Sequence, residues 1–145
     1  MRALKIKRLT WIVAGILMLA WCSGVYGAQK TAQDYIAQGK ELLKARKVDQ
    51  AIAAFTKAIK ADAKSAQAFN NRGVAYCEKG DLKKAVADFG RAIKMDPKFG
   101  KAYNNRGVTL WYQGKRDLAE KDLKKAESLG IKVNRKALKS LGTPP

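Results

Sequence analysis

The sequence predicts an all-α protein, a right-handed α-solenoid of three tandem helix–turn–helix repeats followed by a C-terminal capping helix. Three observations predict this fold. Residues of the same type recur every 34 positions, no gap interrupts the recurrence, and apolar residues within each repeat follow helical spacing. The segment Asn-Asn-Arg-Gly-Val at residues 70–74 also recurs at residues 104–108. One such unit cannot bury its apolar face alone, so neighbouring units are expected to stack.

Six columns of equivalent residues carry the repetition. Each contains small, apolar or aromatic side chains at this constant interval: Gly39, Gly73, Gly107; Ala51, Ala85, Ala119; Phe55, Phe89, Leu123; Ala58, Ala92, Ala126; Tyr35, Phe69, Tyr103; and Leu42, Tyr76, Leu110. The pattern resembles the tetratricopeptide repeat family, whose unit is a 34-residue helical hairpin. The resemblance divides the chain into repeats 32–65, 66–99 and 100–133, within a domain over residues 28–145.

The sequence departs from the family pattern at several positions. The leucine that usually precedes the signature glycine is replaced by Gln38, Arg72 and Arg106. Arg46 stands where the later repeats have a turn glycine, and only Pro97 remains of the prolines that end each repeat. Terminal repeats of such arrays are commonly atypical, so the predicted fold stands.

Glycine weakens a helix, so Gly73 in the middle of a helical pattern needs a structural reason. We expect the two helices of the hairpin to approach closely there, with Gly73 opposite Ala85 and with Phe89 filling the adjacent space.

A short capping helix is predicted over residues 134–141. Asn134 is the expected N-cap residue, and Gly142 with the following prolines ends the helix. Three basic residues give the helix a polar side: Arg135, Lys136 and Lys139. Three apolar residues are expected to cover the last repeat: Ala137, Leu138 and Leu141.

The N-terminal segment, residues 1–27, has the three parts of a signal peptide. Four basic residues lie within residues 1–8, a nearly continuous apolar stretch covers residues 9–21, and small residues precede a predicted cleavage after Gly27. A secreted or periplasmic protein is therefore expected. Two alternatives stay open: an uncleaved inner-membrane anchor over the uncharged residues 9–29, and a lipid-modified Cys22, which the bulky Trp21 disfavours.

The chain is strongly basic. It carries 30 basic and 12 acidic residues, a net charge of +18, and +14 remains once the four basic residues of the N-terminal segment are removed. This charge either forms a solvated lysine surface or attracts an acidic partner, an anionic membrane or nucleic acid.

The composition argues against an enzyme. The chain has no histidine, and Cys77 is the one cysteine outside the N-terminal segment, where we expect it to be buried as a small hydrophobic residue. No metal-ligand cluster, phosphate-binding loop or nucleophile–base pair is recognisable. We therefore predict no catalytic residue, no metal, no cofactor and no small-molecule substrate.

The family resemblance implies that the first helix of each repeat lines a concave groove. The residues opposite the buried face of these helices are the candidate partner-binding residues: Lys40, Gln67, Asn71, Glu78, Lys101, Asn105, Val108 and Tyr112. Asn71 and Asn105 resemble the asparagines with which some family members hold a peptide backbone, because a carboxamide both donates and accepts hydrogen bonds. The alternative is that both asparagines stabilise the stacking of neighbouring helices.

Some family members hold a peptide's terminal carboxylate with a clamp of lysines, asparagines and an arginine. Lys101 and Asn71 match parts of this clamp, whereas Ile36, Lys40 and Asn105 do not. The clamp is incomplete, which argues against an adaptor for chaperone tails. Trp111 has two possible roles: it anchors an apolar side chain of a ligand, or it packs against the C-terminal helix.

The predicted function is an exported scaffold or adaptor that presents its groove to a peptide or protein partner in the cell envelope. The alternative is a basic surface that binds a polyanion or an anionic membrane. Nucleic acid is disfavoured, because no aromatic stacking platform is interleaved with the basic residues and an exported protein meets little RNA. Membrane contact is expected through residues 9–29 if they stay uncleaved, or through the basic surface.

Overall fold

The computed structural model describes residues 30–140, which contain seven helices and no strand. They are α1 (Ala32–Lys44), α2 (Val48–Ala61), α3 (Ala66–Lys79), α4 (Leu82–Met95), α5 (Gly100–Tyr112), α6 (Arg116–Ser128) and α7 (Arg135–Ser140). The predicted signal peptide and the end of the predicted capping helix lie outside these residues. None of the seven helices has the length and apolar character needed to cross a bilayer.

The first six helices form three hairpins that stack in sequence. Helix α1 packs against α2, α3 against α4, and α5 against α6. Neighbouring hairpins join through α2 with α3 and α4 with α5, and the first helices also contact one another. The predicted all-α solenoid is confirmed.

A close approach of the two helices holds each hairpin together. Phe55, Phe89 and Leu123 are the largest fully buried side chains, and each lies against the glycine of the preceding helix. A Cβ atom added to Gly73 would lie 2.6 Å from Cε1 of Phe89, which leaves no room for any side chain. This contact is the structural reason for the glycine column.

The turns between first and second helices need a left-handed residue. Gly80 and Gly114 adopt this conformation with φ of 86° and 74°, and Arg46 adopts it with φ of 59°. The turns between repeats use aspartate instead: Oδ1 of Asp62 accepts the backbone N–H of Lys64 at 2.9 Å. Two turn types therefore alternate along the chain, one at each edge of the solenoid.

Two part-buried ion pairs involve the arginines that stand where the family pattern has a leucine. Arg72 donates to both oxygens of Asp88 at 2.7 and 3.0 Å, and Arg106 donates to both oxygens of Asp122 at 2.7 and 2.8 Å. Burial disfavours the charge on Arg72, but the hydrogen bond and charge of Asp88 outweigh it and raise the guanidinium pKa. The pairs link first and second helices within repeats two and three. The departure from the family pattern shows the two arginines, but it does not indicate their aspartate partners.

The C-terminal helix covers the last hairpin, and it begins at Arg135, one residue after the predicted start. Leu138 is buried as predicted. Arg135, on the polar side of this helix, is half-buried, and its guanidinium donates to Glu120 and Glu127 of α6 at 2.7 Å each. The hydrogen bond from Arg135 also lowers the pKa of Glu127. Helix α7 is thus fixed to α6 by charge as well as by apolar packing.

Two glycine substitutions should have opposite effects on stability. Gly73→Ala forces a Cβ into the ring of Phe89 and should cost about 1–3 kcal/mol, as overpacking does. Gly90→Ala is its matched control, since a Cβ there would lie 3.6 Å from its nearest neighbour, Nη1 of Arg106. Alanine at position 90 should stabilise the helix by about 0.5–1 kcal/mol. Urea unfolding followed by circular dichroism measures both, and equal effects would contradict the role assigned to Gly73.

Candidate functional site

A pocket of about 410 Å³ opens between the first helices of the three repeats. It is lined by Lys40, Ala66, Gln67, Asn70, Asn71, Asp96, Phe99 and Lys101. Four of the eight candidate partner-binding residues therefore meet at one place. The pocket lies at the edge of the solenoid where α3 and α5 begin.

The other four candidates do not line this pocket. Glu78 and Tyr112 are exposed at the far ends of α3 and α5, and Val108 is half-buried in α5. Asn105 is half-buried and turns its amide to the neighbouring repeat. The eight residues thus do not form a single cluster.

The repeat geometry explains how the pocket is built. Gln67 and Lys101 occupy equivalent positions in the first turns of α3 and α5, so their side chains leave the solenoid on the same side. The turn before α5 adds Asp96 and Phe99, and Lys40 reaches in from α1. All three repeats therefore contribute residues to the lining of the pocket.

The charge of the pocket is positive. Lys40 and Lys101 are exposed, and neither forms an ion pair within residues 30–140. Asp96 is the one acidic residue of the lining, and its Oδ1 accepts the backbone N–H of Lys98 at 2.9 Å. Two unneutralised ammonium groups can hold carboxylates of a ligand.

The two asparagines of the repeated Asn-Asn-Arg-Gly-Val segment have different environments. Nδ2 of Asn105 donates to Oδ1 of Asn70 at 3.0 Å, and Asn70 is only 6% exposed. This hydrogen bond stabilises the stacking of repeats two and three. The binding role predicted for Asn105 remains a prediction.

Asn71 cannot make the equivalent bond. One repeat earlier, the position of Asn70 is occupied by Ile36, a buried residue whose side chain accepts no hydrogen bond. Nδ2 of Asn71 is buried and has no partner among residues 30–140. A buried donor without a partner is uncommon and carries a free-energy cost. Asn71 lines the pocket, so this unused N–H can reach a ligand there when the side chain turns toward the pocket.

Sequence reasoning did not select Asn70, Asp96 or Phe99 as pocket residues. The column Ile36, Asn70, Asn104 held the relevant signal, because its apolar first member implies that Asn71 lacks an acceptor. That inference requires knowing that these columns face each other across the repeat boundary.

At the other end of α3 and α5 a wider pocket of about 730 Å³ opens between the turns, lined by Lys79, Gly80, Asp81, Leu82, Lys83, Gln113 and Lys115. None of the eight candidate residues lines it, and Trp111 and Cys77 pack beside it within the domain. Trp111 is half-buried, lines a small cavity with Leu138, and stacks with Arg116, whose guanidinium carbon lies 3.8 Å from the ring centroid. Cys77 is half-buried, and its Sγ lies 3.3 Å from the hydroxyl of Thr109. Burial raises the pKa of the Cys77 thiol, although the Thr109 hydroxyl opposes the shift.

Comparison with known proteins identifies the same repeat. The tetratricopeptide repeat family model matches residues 36–98 and 78–130. No curated protein gives a significant match.

Several solved structures are similar to the chain. The second TPR domain of Spaghetti (RPAP3), bound to the HSP90 peptide SRMEEVD, is 29% identical with a TM-score of 0.67, covering 69% of this chain and 93% of that one. MamA is 29% identical with a TM-score of 0.66, covering 74% of this chain and 61% of its own. The TPR2B domain of yeast Sti1, in complex with pHsp70, is 25% identical with a TM-score of 0.68, covering 76% and 91%.

The two asparagines should respond oppositely to replacement by leucine. Asn71→Leu removes a buried donor that has no partner and should raise the free energy of unfolding by about 1 kcal/mol. Asn105→Leu leaves the buried Asn70 without its donor and should lower the free energy of unfolding by about 1–3 kcal/mol. Urea unfolding of the two variants checks this. A loss of stability in Asn71→Leu as large as that in Asn105→Leu would show that Asn71 has a structural partner.

Proposed function

The chain belongs to the tetratricopeptide repeat family, and from that premise we propose that it is an exported scaffold whose pocket binds an acidic peptide segment of a partner protein. The observation that carries the proposal is the pairing of two unneutralised lysines with the unused donor of Asn71 in one pocket.

Each pocket residue has a role in this proposal. Lys40 and Lys101 attract and hold carboxylates of the ligand, and Asn71 donates to a main-chain carbonyl or a carboxylate. Gln67 lies exposed beside them and can both donate and accept. Binding takes place without a reaction, in a groove formed before the ligand arrives.

Two similar structures support a peptide or protein ligand, and the first of them supports an acidic one. RPAP3 holds the peptide SRMEEVD, which contains three acidic residues, and yeast Sti1 is in complex with pHsp70. In the present chain Ile36 and Asn105 stand where the carboxylate clamp of the family uses basic residues. We therefore expect an acidic ligand whose sequence differs from those chaperone tails.

A peptide array tests the pocket directly. Fluorescently labelled protein of residues 28–145 is applied at moderate salt to an array of short acidic peptides that includes SRMEEVD. We expect specific binding of a subset, lowered about tenfold or more by Asn71→Leu, since a hydrogen bond to a charged group contributes about 1.5–3 kcal/mol. Lys40→Gln/Lys101→Gln should also lose binding.

The matched control is Lys83→Gln/Lys115→Gln, which also removes two exposed lysines that form no ion pair within residues 30–140 and that do not line this pocket. It should bind as the wild type does. If Asn71→Leu and Lys40→Gln/Lys101→Gln keep the same peptides at the same affinity, the pocket is not the binding site.

Export is tested separately by the mature N-terminus. N-terminal sequencing of protein from the periplasmic or secreted fraction should begin at Ala28, as cleavage after Gly27 requires. The matched variant replaces two apolar residues of the central stretch, Leu17→Arg/Leu19→Arg, and should retain the precursor in the cytoplasm. A chain that begins at Met1 and stays in the membrane fraction would instead establish the uncleaved anchor.

A further inference from the structure

The second helices carry a repeating basic surface that the peptide pocket does not use. Near the C-terminal ends of α2, α4 and α6, the outward-facing residues are Lys57, Arg91 and Lys125, and all three are exposed. Three residues later Lys60 and Lys94 are also exposed, with an exposed serine at the third position. Because the hairpins stack in one orientation, these positions form parallel rows.

The turns after these helices add a further basic residue in every repeat. Lys64, Lys98 and Lys132 recur at the repeat interval and are all exposed. Lys30 occupies the equivalent position before α1. We call the eight basic residues of α2, α4, α6 and the turns that follow them the basic edge, and it shares no residue with the pocket.

The lysines of the basic edge have no acidic partners. None of the seven forms an ion pair within residues 30–140. Asp62 and Asp96 lie in the same turns, but their Oδ1 atoms accept the backbone N–H groups of Lys64 and Lys98 at 2.9 Å. The aspartates therefore shape the turns and leave the ammonium groups without a carboxylate.

The opposite edge of the solenoid is arranged differently. There Lys44, Lys79 and Lys84 each pair with a nearby carboxylate, at 2.7, 2.6 and 2.8 Å. Lys47, Lys83 and Lys115 lie at the same edge, are exposed and form no ion pair within residues 30–140. Half of the six lysines at this edge are therefore paired, whereas none of the seven lysines of the basic edge is.

Apolar residues lie among the lysines of the basic edge. Met95 is 39% exposed and Pro97 is exposed, between Lys94 and Lys98 in the sequence. Basic and apolar side chains on one surface suit the headgroup region of a bilayer, where the charge meets phosphate and the apolar side chain reaches the acyl boundary. Seven of the eight cations are lysines, which act as point charges without the bidentate geometry of base recognition. The aromatic side chains near Lys57 and Lys98, which are Tyr35 and Phe99, are half-buried and present little ring surface for stacking on a base.

An anionic bilayer suits this arrangement of charge. Lysines that lie near an anionic lipid surface are each attracted to it, and the attraction does not depend on directional hydrogen bonds. We propose that the basic edge docks the domain on an anionic bilayer surface.

Vesicle sedimentation tests the proposal with residues 28–145, because residues 31–145 form a compact unit of their own. Wild-type protein should sediment with vesicles of phosphatidylcholine and phosphatidylglycerol at low salt and stay free with phosphatidylcholine alone. Raising the salt should weaken binding. The variant Lys64→Gln/Lys98→Gln/Lys132→Gln should lose affinity on the order of 100-fold, since each lysine near an anionic surface contributes about fivefold.

The matched control, Lys44→Gln/Lys79→Gln/Lys115→Gln, removes the same charge from the opposite edge, and it should keep most of the affinity. Circular dichroism confirms the fold of both variants. Equal losses in the two variants, or no binding of the wild type to phosphatidylglycerol vesicles at low salt, would overturn the proposal. The proposal would also be overturned if the protein bound double-stranded DNA more tightly than vesicles and if that binding depended equally on Lys64, Lys98 and Lys132. Asn71→Leu should leave vesicle binding unchanged, which separates this test from that of the peptide pocket.

Discussion

The close contact between a glycine on each first helix and a large side chain on each second helix is the constraint on which the structure depends. Any side chain at Gly73 or Gly107 would meet Phe89 or Leu123, so the helices can approach only because those positions are bare. This approach fixes the hairpin, and repetition of the hairpin at a constant interval fixes the stack. The stack in turn places the beginnings of α3 and α5 beside each other. The pocket and the basic edge are both consequences of that repetition.

A repeated scaffold gives equivalent residues similar surroundings, so the differences between repeats carry the information about binding. Asn71 and Asn105 occupy the same position in identical five-residue segments. Asn105 faces Asn70 and bonds to it, whereas Asn71 faces the repeat that has Ile36, and its Nδ2 bonds to nothing within residues 30–140. One apolar residue in a neighbouring repeat therefore decides whether an asparagine serves stacking or is available to a ligand.

The fold could be predicted from the sequence because its determinants are local and periodic. Columns of glycine, alanine and phenylalanine are visible at a fixed spacing, and their helical period needs no tertiary information. The ion pairs of Arg72 with Asp88 and of Arg106 with Asp122 were not predicted. An arginine in a column that is usually leucine indicates a departure from the family pattern, but it does not indicate an ion-pair partner 16 residues away. The ion pairs of Arg135 were not predicted either, because the pattern of so short a helix does not show that Glu120 and Glu127 lie beside it. For the pocket, the sequence indicated the helix faces but could not indicate which of their residues converge.

The distribution of charge gives the excess of basic residues a structural meaning. Arg72 and Arg106 are neutralised by carboxylates, and three of the six lysines at the edge formed by the turns within hairpins are paired as well. Within residues 30–140 the lysines of the basic edge and the two lysines of the pocket have no such carboxylate. A solvated coat would leave its lysines unpaired to a similar extent at both edges, because ion pairs at exposed sites contribute little to stability and nothing in the fold requires them at one edge alone. The asymmetry is therefore better explained by two recognition surfaces for anions. One is a compact pocket with a directional amide donor, which suits a peptide, and the other is an extended lysine array without directional donors, which suits a diffuse anionic surface.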